Sequence, residues 1–370
     1  MAALSPSLPL DSLPQLLLDV AAVEHNIAVK QAWAREHQMV LAPHIKTTMT
    51  REIVRRQLPG AWGVTVATVA QAGRAIEWGA ERILIANEVI YGAHLGQLRR
   101  WLEAAAQLEL YCLADSAAGV RAMAEAFDGA PRPLRVLIDV GTPGGRTGIR
   151  TVAEALPLVG QIAASPGLLA AGVSAYEGVV ANTRTAENLA RVDTHCALAR
   201  EVFEALRPAF GPGRPVFSIG GSAFQDRAAA FLPGGAVNVL RSGCYVVHDH
   251  GTYAGVSPVP GLVAAAVVRA LVVSAPEPGM AVLNAGKREL AYDAGLPVVV
   301  AAYRDGAALP EAAGTVAKLF DHHAVLTPAA HLAVGDVVDL GISHPCSVFD
   351  RWREVAAVQE GRVETWRPAF

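Results

Sequence analysis

Lys46 stands in the run Pro43-His44-Ile45-Lys46-Thr47, directly after a short apolar segment. A lysine at the end of a buried strand is poorly solvated. Such an amine either loses its proton readily or forms a covalent bond to a carbonyl. A surface lysine in a loop is the plainer reading. Two other runs bear on the choice: Gly220-Gly221-Ser222 and Arg241-Ser242-Gly243-Cys244-Tyr245. Their glycines let backbone N–H groups approach an anion, as in a phosphate cradle, although each run alone suits a turn equally well. An amine together with a phosphate anchor meets both requirements of pyridoxal phosphate.

A second chemistry is offered by Ser343-His344-Pro345-Cys346-Ser347-Val348-Phe349-Asp350. In extended backbone, positions two apart share a face, and proline fits the extended φ. His344 and Cys346 are then placed to bind one zinc ion through imidazole and thiolate, with positions left open as a catalytic metal needs. A buried pair in a core strand is the competing reading. Asp321-His322-His323 could line the same site or form a polar turn, and His248-Asp249-His250 has a metal-like pattern that also suits a polar loop. The four cysteines, at 112, 196, 244 and 346, are too scattered for a disulfide framework. Cys112, Cys196 and Cys244 are expected in the core.

The elements that must position these residues follow a repeating order. Short β-branched runs at Met39–Ala42, Gly63–Ala67, Ile83–Ala86, Leu108–Leu113, Leu134–Val140, Ala171–Tyr176, Val216–Ile219 and Val237–Leu240 predict strands. Several are apolar on both faces, as buried parallel strands are. Alanine-rich segments of helical period separate them, including Thr68–Ala80, His94–Ala106, Thr151–Ala164 and Ala186–Leu206. The expectation is an α/β chain with a (β/α)8 TIM barrel over residues 22–255. A doubly wound sheet is disfavoured, because no GxGxxG follows the first strand. After Tyr253 the helical period disappears. Strands are predicted at Leu262–Ser274, Met280–Asn284, Pro297–Tyr303, Thr315–Phe320, Asp336–Leu340 and Val355–Val358. They make a β-rich domain over residues 256–370, joined by an N-terminal strand within residues 1–21.

Catalytic residues of a barrel gather just after strand C-termini. The unusual residues fall there: His44 and Lys46, Asn87-Glu88, Gly144-Gly145-Arg146-Thr147-Gly148, Tyr176-Glu177-Gly178, Gly220-Gly221-Ser222 and Arg241 to Tyr245. The composition agrees with a folded enzyme. Of 370 residues, 52% are hydrophobic and 18% charged, which excludes disorder, and the net charge of −3 gives no footprint for nucleic acid. The N-terminus lacks the basic start and apolar run of a signal peptide, and the apolar stretch from Gly261 to Ala275 contains Arg269 and is too short to span a bilayer. A soluble cytoplasmic protein is expected, with neither nucleic acid nor membrane as partner.

In order along the chain, Pro-His-x-Lys-Thr at 43–47, Asn87-Glu88, Gly-Gly-Arg-Thr-Gly at 144–148, Ala-Tyr-Glu-Gly at 175–178, Gly-Gly-Ser at 220–222, Gly-Cys-Tyr at 243–245 and His-Pro-Cys at 344–346 resemble the D-threonine aldolase and D-serine dehydratase family. The resemblance implies a pyridoxal phosphate barrel of the alanine racemase type. Lys46 would carry the cofactor as a Schiff base and act as a base on one of its faces, with His44 and Tyr176 completing the catalytic set. Gly220, Gly221, Ser222, Gly243 and Tyr245 would hold the phosphate, and Arg146 and Tyr176 would lie against the ring. Arg241 stands where aldolase relatives have glutamine. His344 and Cys346 would hold a divalent metal, zinc first, with manganese or magnesium as alternatives. The implied substrate is a small β-hydroxy D-amino acid, and the implied assembly a homodimer.

Two reactions fit these parts. A dehydratase of the D-serine or 3-hydroxyaspartate type releases a 2-oxo acid and ammonia, whereas an aldolase of the D-threonine type releases glycine and an aldehyde. Aldolases of the family carry a histidine base shortly after the Tyr176 position, where this chain has Val180-Ala181-Asn182, and an aspartate where it has Cys346. Both departures favour the dehydratase. Other readings are a racemase using Tyr292 or Tyr303 as second base, a non-catalytic cofactor-binding protein, and a metal-dependent hydrolase built on His248 and His250.

Overall fold

The computed structural model describes residues 4–370, apart from 6, 7, 9, 179 and 310–313. The chain forms two compact units. One comprises residues 31–46 and 57–243; the other takes the chain up to Lys30, Thr47–Arg56 and Cys244–Phe370.

Strand β1 (Gln15–Asp19) belongs to the second unit. The first unit contains eight parallel strands: β2 (Val40–Leu41), β3 (Val64–Val66), β4 (Arg82–Glu88), β5 (Glu109–Ala114), β6 (Leu134–Val140), β7 (Leu168–Ala175), β8 (Val216–Ser218) and β9 (Val237–Leu240). They lie in the order β2-β9-β8-β7-β6-β5-β4-β3. The two ends meet at a parallel bridge between His44 and Thr65. There the Thr65 amide donates to Pro43 O at 2.8 Å and its hydroxyl to Ala42 O at 2.8 Å. A nearly closed barrel of the expected kind results, and all eight strands overlap the runs predicted for them. Its interior is filled by Ala42, Leu84, Tyr111, Leu113, Leu137, Ala171, Val216 and Val239.

The helices between strands start where a threonine or serine precedes the helical period. The side chains of Thr68, Ser116, Thr151 and Thr185 accept from the amides of Gln71, Gly119, Glu154 and Asn188, each cap contributing about 1 kcal/mol. On β7 the register against β6 shifts between Val136 and Leu137. Gly172 makes this possible: its φ is +140°, and a Cβ there would come within 1.9 Å of Val216 O.

The second unit is a mixed sheet built on β1, β10 (Ala266–Ser274), β12 (Val298–Arg304), β13 (Ala307–Ala308), β16 (Val337–Gly341), β17 (Val355–Gln359) and β18 (Arg362–Trp366). Their order is β13-β12-β16-β10-β1-β17-β18. From β10 the sheet continues through β11 (Ala281–Leu283) to β15 (Ala324–Leu326) and β14 (Val316–Leu319). The N-terminal strand β1 pairs antiparallel with β10 and parallel with β17. Arg269 is 2% exposed and forks onto Asp339, Nε to Oδ1 at 2.7 Å and Nη2 to Oδ2 at 2.9 Å. The apolar patterns of β13, β15 and β18 were too short or too polar to read as strands. Among the described residues, no helix is long and apolar enough to cross a membrane.

Candidate active site

In the barrel unit, the loops after the strands gather a charged cluster. His44 donates its amide to Ser242 O at 3.2 Å, tying the loop after β2 to that after β9. Its Nδ1 is sealed from solvent with no hydrogen-bond partner among the described residues. Burial, then the charges of Lys46, Arg241 and Arg146, hold its pKa well below the usual 6.5. The ring is a neutral imidazole. Lys46 sits in a 3-10 turn, Ile45–Thr47, half-buried. Among the described residues its ammonium has neither a hydrogen-bond nor an ion-pair partner.

Arg241 is 7% exposed and donates to Ser174 Oγ and Ala175 O, each at 2.5 Å. Arg146 lies over the Tyr176 ring, 5.2 Å from its centroid. The structure thus brings Lys46, Arg146 and Arg241 within electrostatic reach of His44.

The glycine loop differs in one respect from the expected phosphate cradle. Gly220, at φ +104°, and Gly221 direct their amides to Glu177, Gly220 N to Oε2 at 3.1 Å and Gly221 N to Oε1 at 2.5 Å. Burial raises the Glu177 carboxyl, and these two donors partly offset the rise. Two of the loop's N–H groups are therefore held by the protein's own carboxylate. Ser222 makes no hydrogen bond to a described residue and remains open to an anion. Ser242 donates to Gly221 O and to Gln225 Oε1, bracing the loop from the next strand. A Cβ on Gly221 would meet Tyr176 Cε2 at 2.8 Å, so glycine is required for this approach.

Glu88, at the end of β4, was legible as part of a motif without a role. Both its carboxylate oxygens are buried without a hydrogen-bond partner among the described residues. Burial and then the Asp139 and Asp115 charges push its pKa up to about 7.

In the other unit, the Sγ atoms of Cys244 and Cys346 are 3.2 Å apart. With His344 they place three ligand atoms within 4.8 Å of one another, the one such group of potential metal ligands among the described residues. The backbone is not the expected extended run. His344 is extended, but Pro345–Ser347 forms a 3-10 turn, and this turn swings Cys346 back beside His344. Thr47 Oγ1 lies 3.7 Å from the Cys346 sulfur. The Cys244 thiol, His344 and Thr47 hold the Cys346 thiol well below its usual pKa, and Cys244 rises correspondingly.

Asp293 accepts from His344 Nδ1 at 2.7 Å, and Ser347 Oγ donates to the other oxygen. The ring nitrogen left for a metal is Nε2. A soft sulfur pair, an imidazole and a carboxylate behind it fit a zinc-type ion. Neither Cys244 nor Asp293 was singled out as a ligand from sequence. Cys244 is buried as expected of a core cysteine, and Asp293 lies 51 residues from His344 in the chain.

Tyr245 is 2% exposed, and the fully buried Lys30 places Nζ 5.6 Å from its ring centroid. His248 and His250 do not join the metal group. Between them, Asp249 accepts the amides of Gly251, Tyr253 and Ala254 and caps the helix Thr252–Val256. Asp321-His322-His323 is an exposed turn, with His322 paired to Glu289 at 2.7 Å. The Tyr303 hydroxyl donates to buried Asp339 at 3.3 Å, and Tyr292 is 43% exposed.

Residues 18–249 match the model of the alanine racemase N-terminal domain, and residues 265–358 that described as "Putative serine dehydratase domain". The chain is 30% identical over 358 residues to D-threonine aldolase of Arthrobacter sp., covering 95% of this chain and 90% of the relative. The chain belongs to the D-threonine aldolase and D-serine dehydratase family, of the alanine racemase type. Another relative is D-threo-3-hydroxyaspartate dehydratase of Delftia sp. (strain HT23), 29% identical over 246 residues, 64% of this chain and 61% of that protein. In three dimensions the family likeness extends to D-threonine aldolase from Filomicrobium marinum, with a TM-score of 0.82 and 25% identity over 96% of this chain and 95% of the other.

Proposed function

We propose that this chain is a pyridoxal phosphate- and metal-dependent lyase of β-hydroxy D-amino acids, acting as a dehydratase that yields a 2-oxo acid and ammonia. One observation carries this reading: the sulfur and ring-nitrogen ligand pair formed by Cys346 and His344, backed by Asp293. Pyridoxal phosphate supplies an electron sink for charge at the substrate α-carbon, and the metal supplies a Lewis acid for the β-hydroxyl.

The residues fit both groups. Lys46 offers an unpartnered amine for the cofactor aldehyde and is the base placed to take the α-proton. Neutral His44 and the stacked Arg146–Tyr176 pair support the ring, while Arg241 holds the loop ends through Ser174 and Ala175. Ser222 and Gly243 supply phosphate contacts, as does Tyr245 two residues along the chain. Glu177 fixes the Gly220–Gly221 turn rather than leaving it to the phosphate. His344 and Cys346 hold the metal. Lys46 is followed in the chain by Thr47, whose hydroxyl lies 3.7 Å from the Cys346 sulfur, and Gly243 is followed by Cys244.

The likeness to the Arthrobacter D-threonine aldolase favours a second reading, retro-aldol cleavage to glycine and an aldehyde. That reaction requires a base for the β-hydroxyl proton, and Val180-Ala181-Asn182 offers none. Product analysis with D-serine, D-threonine and D-threo-3-hydroxyaspartate, with and without a chelator, separates the two. Keto acid and ammonia, lost on chelation, support the dehydratase; glycine and an aldehyde overturn it in favour of the aldolase.

A further inference from the structure

Two ligands, His344 and Cys346, leave a metal half-coordinated by protein. Cys244 changes that count. Its sulfur is 3.2 Å from that of Cys346 although 102 residues separate them, and its side chain is buried. The backbone there is fixed: Cys244 opens a 3-10 turn, Cys244–Val246, and its carbonyl accepts from His248 N at 2.7 Å and Val247 N at 3.2 Å. Tetrahedral zinc, with Zn–S near 2.3 Å and Zn–N near 2.0 Å, sets its ligand atoms about 3.3–3.8 Å apart. The observed group spans no more than 4.8 Å, so small side-chain rotations suffice to close it on an ion.

We propose that Cys244 is a third protein ligand, making a Cys2His centre with one open position that takes zinc in preference to magnesium or manganese. The inference rests on the reading that His344 and Cys346 hold a metal, and adds the ligand that decides which metal. Thiolates select zinc-like ions, whereas magnesium demands an octahedron of oxygens. Three protein ligands and one exchangeable site are the pattern of catalytic zinc, and the fourth position is where a substrate hydroxyl would bind. Two sulfurs this close also disfavour each other as thiolates without a cation between them, which an ion would supply.

The test is zinc K-edge X-ray absorption on the zinc-loaded holoenzyme, with the Cys244→Ala variant alongside and zinc affinity measured by chelator competition. The expected result is two sulfur scatterers per zinc in the unaltered protein and one in the variant, with affinity lower by at least about 100-fold. The sulfur count in the unaltered protein is a readout that holds even if the variant fails to fold. One sulfur per zinc in the unaltered protein overturns the inference. If His344→Ala then abolishes zinc binding, the two-ligand reading stands without Cys244. A protein that binds no zinc, or that carries a Cys244–Cys346 disulfide under reducing conditions, overturns both.

Discussion

Asp293 Oδ2 lies 2.7 Å from Nδ1 of His344, placing a carboxylate behind the imidazole of the candidate metal group. This contact fixes the tautomer and ring orientation and raises the basicity of the other nitrogen. Asp293→Asn should lower zinc affinity about 10–100-fold. Asp293 is 46% exposed, so the melting temperature of the metal-free variant should hardly change. Chelator competition and calorimetry check the two halves, and an unchanged zinc affinity would remove Asp293 from the metal's support.

Zinc affinity should also depend on pH. In the metal-free protein, Cys346 first and then Asp293 raise the His344 pKa to about 9. Binding must displace that proton, so affinity should rise at least about tenfold per pH unit between pH 7 and 9, and loss of the raised Cys244 thiol proton keeps it rising above pH 9. Affinity flat across this range would show that no proton leaves on binding.

Lys46→Ala should abolish covalent cofactor attachment, seen as loss of the visible absorbance, and lower turnover by at least about 10²–10⁴-fold, the usual contribution of a positioned base. Retained absorbance in the variant would place the attachment elsewhere.

Glu177→Ala would leave the Gly220 and Gly221 amides without their acceptor. Each orphaned buried group costs about 1–3 kcal/mol. A lower melting temperature and weaker cofactor retention should appear together. Equal stability would mean that the two amides find another partner, such as the phosphate.

Glu88 gives a stability signature. Its folded pKa, about 7, lies above the ordinary 4.5 because of burial and the neighbouring Asp139 and Asp115. A raised folded pKa contributes stability that is full below 4.5 and lost as pH rises through about 7. Relative to the unaltered protein, Glu88→Gln should therefore gain stability between pH 5 and 8, by about 1–2 kcal/mol after discounting for solvent screening. Melting curves at both pH values measure this, and a pH-independent difference would contradict the shifted carboxyl.

The barrel was legible because each buried parallel strand is a continuous apolar run and each helix carries a 3.6-residue period, often with a threonine or serine before it. Placing the strands also placed the loops, so His44, Lys46, Arg146, Tyr176, Gly220 and Arg241 already fell after strand ends. The edge strands β13 and β18 escaped because exposed pairing leaves little apolar pattern in the sequence.

Sequence by itself determined the order of elements, the family and the residue types available for chemistry, since local periodicity and motif spacing are properties of neighbouring positions. Tertiary structure decided which distant residues meet. That Cys244 lies against Cys346, that Asp293 backs His344, and that Glu177 takes the glycine-loop amides all depend on side chains brought together across 102, 51 and 43–44 residues. No local pattern encodes such contacts, because burial and hydrogen-bond satisfaction are settled only when the chain is packed.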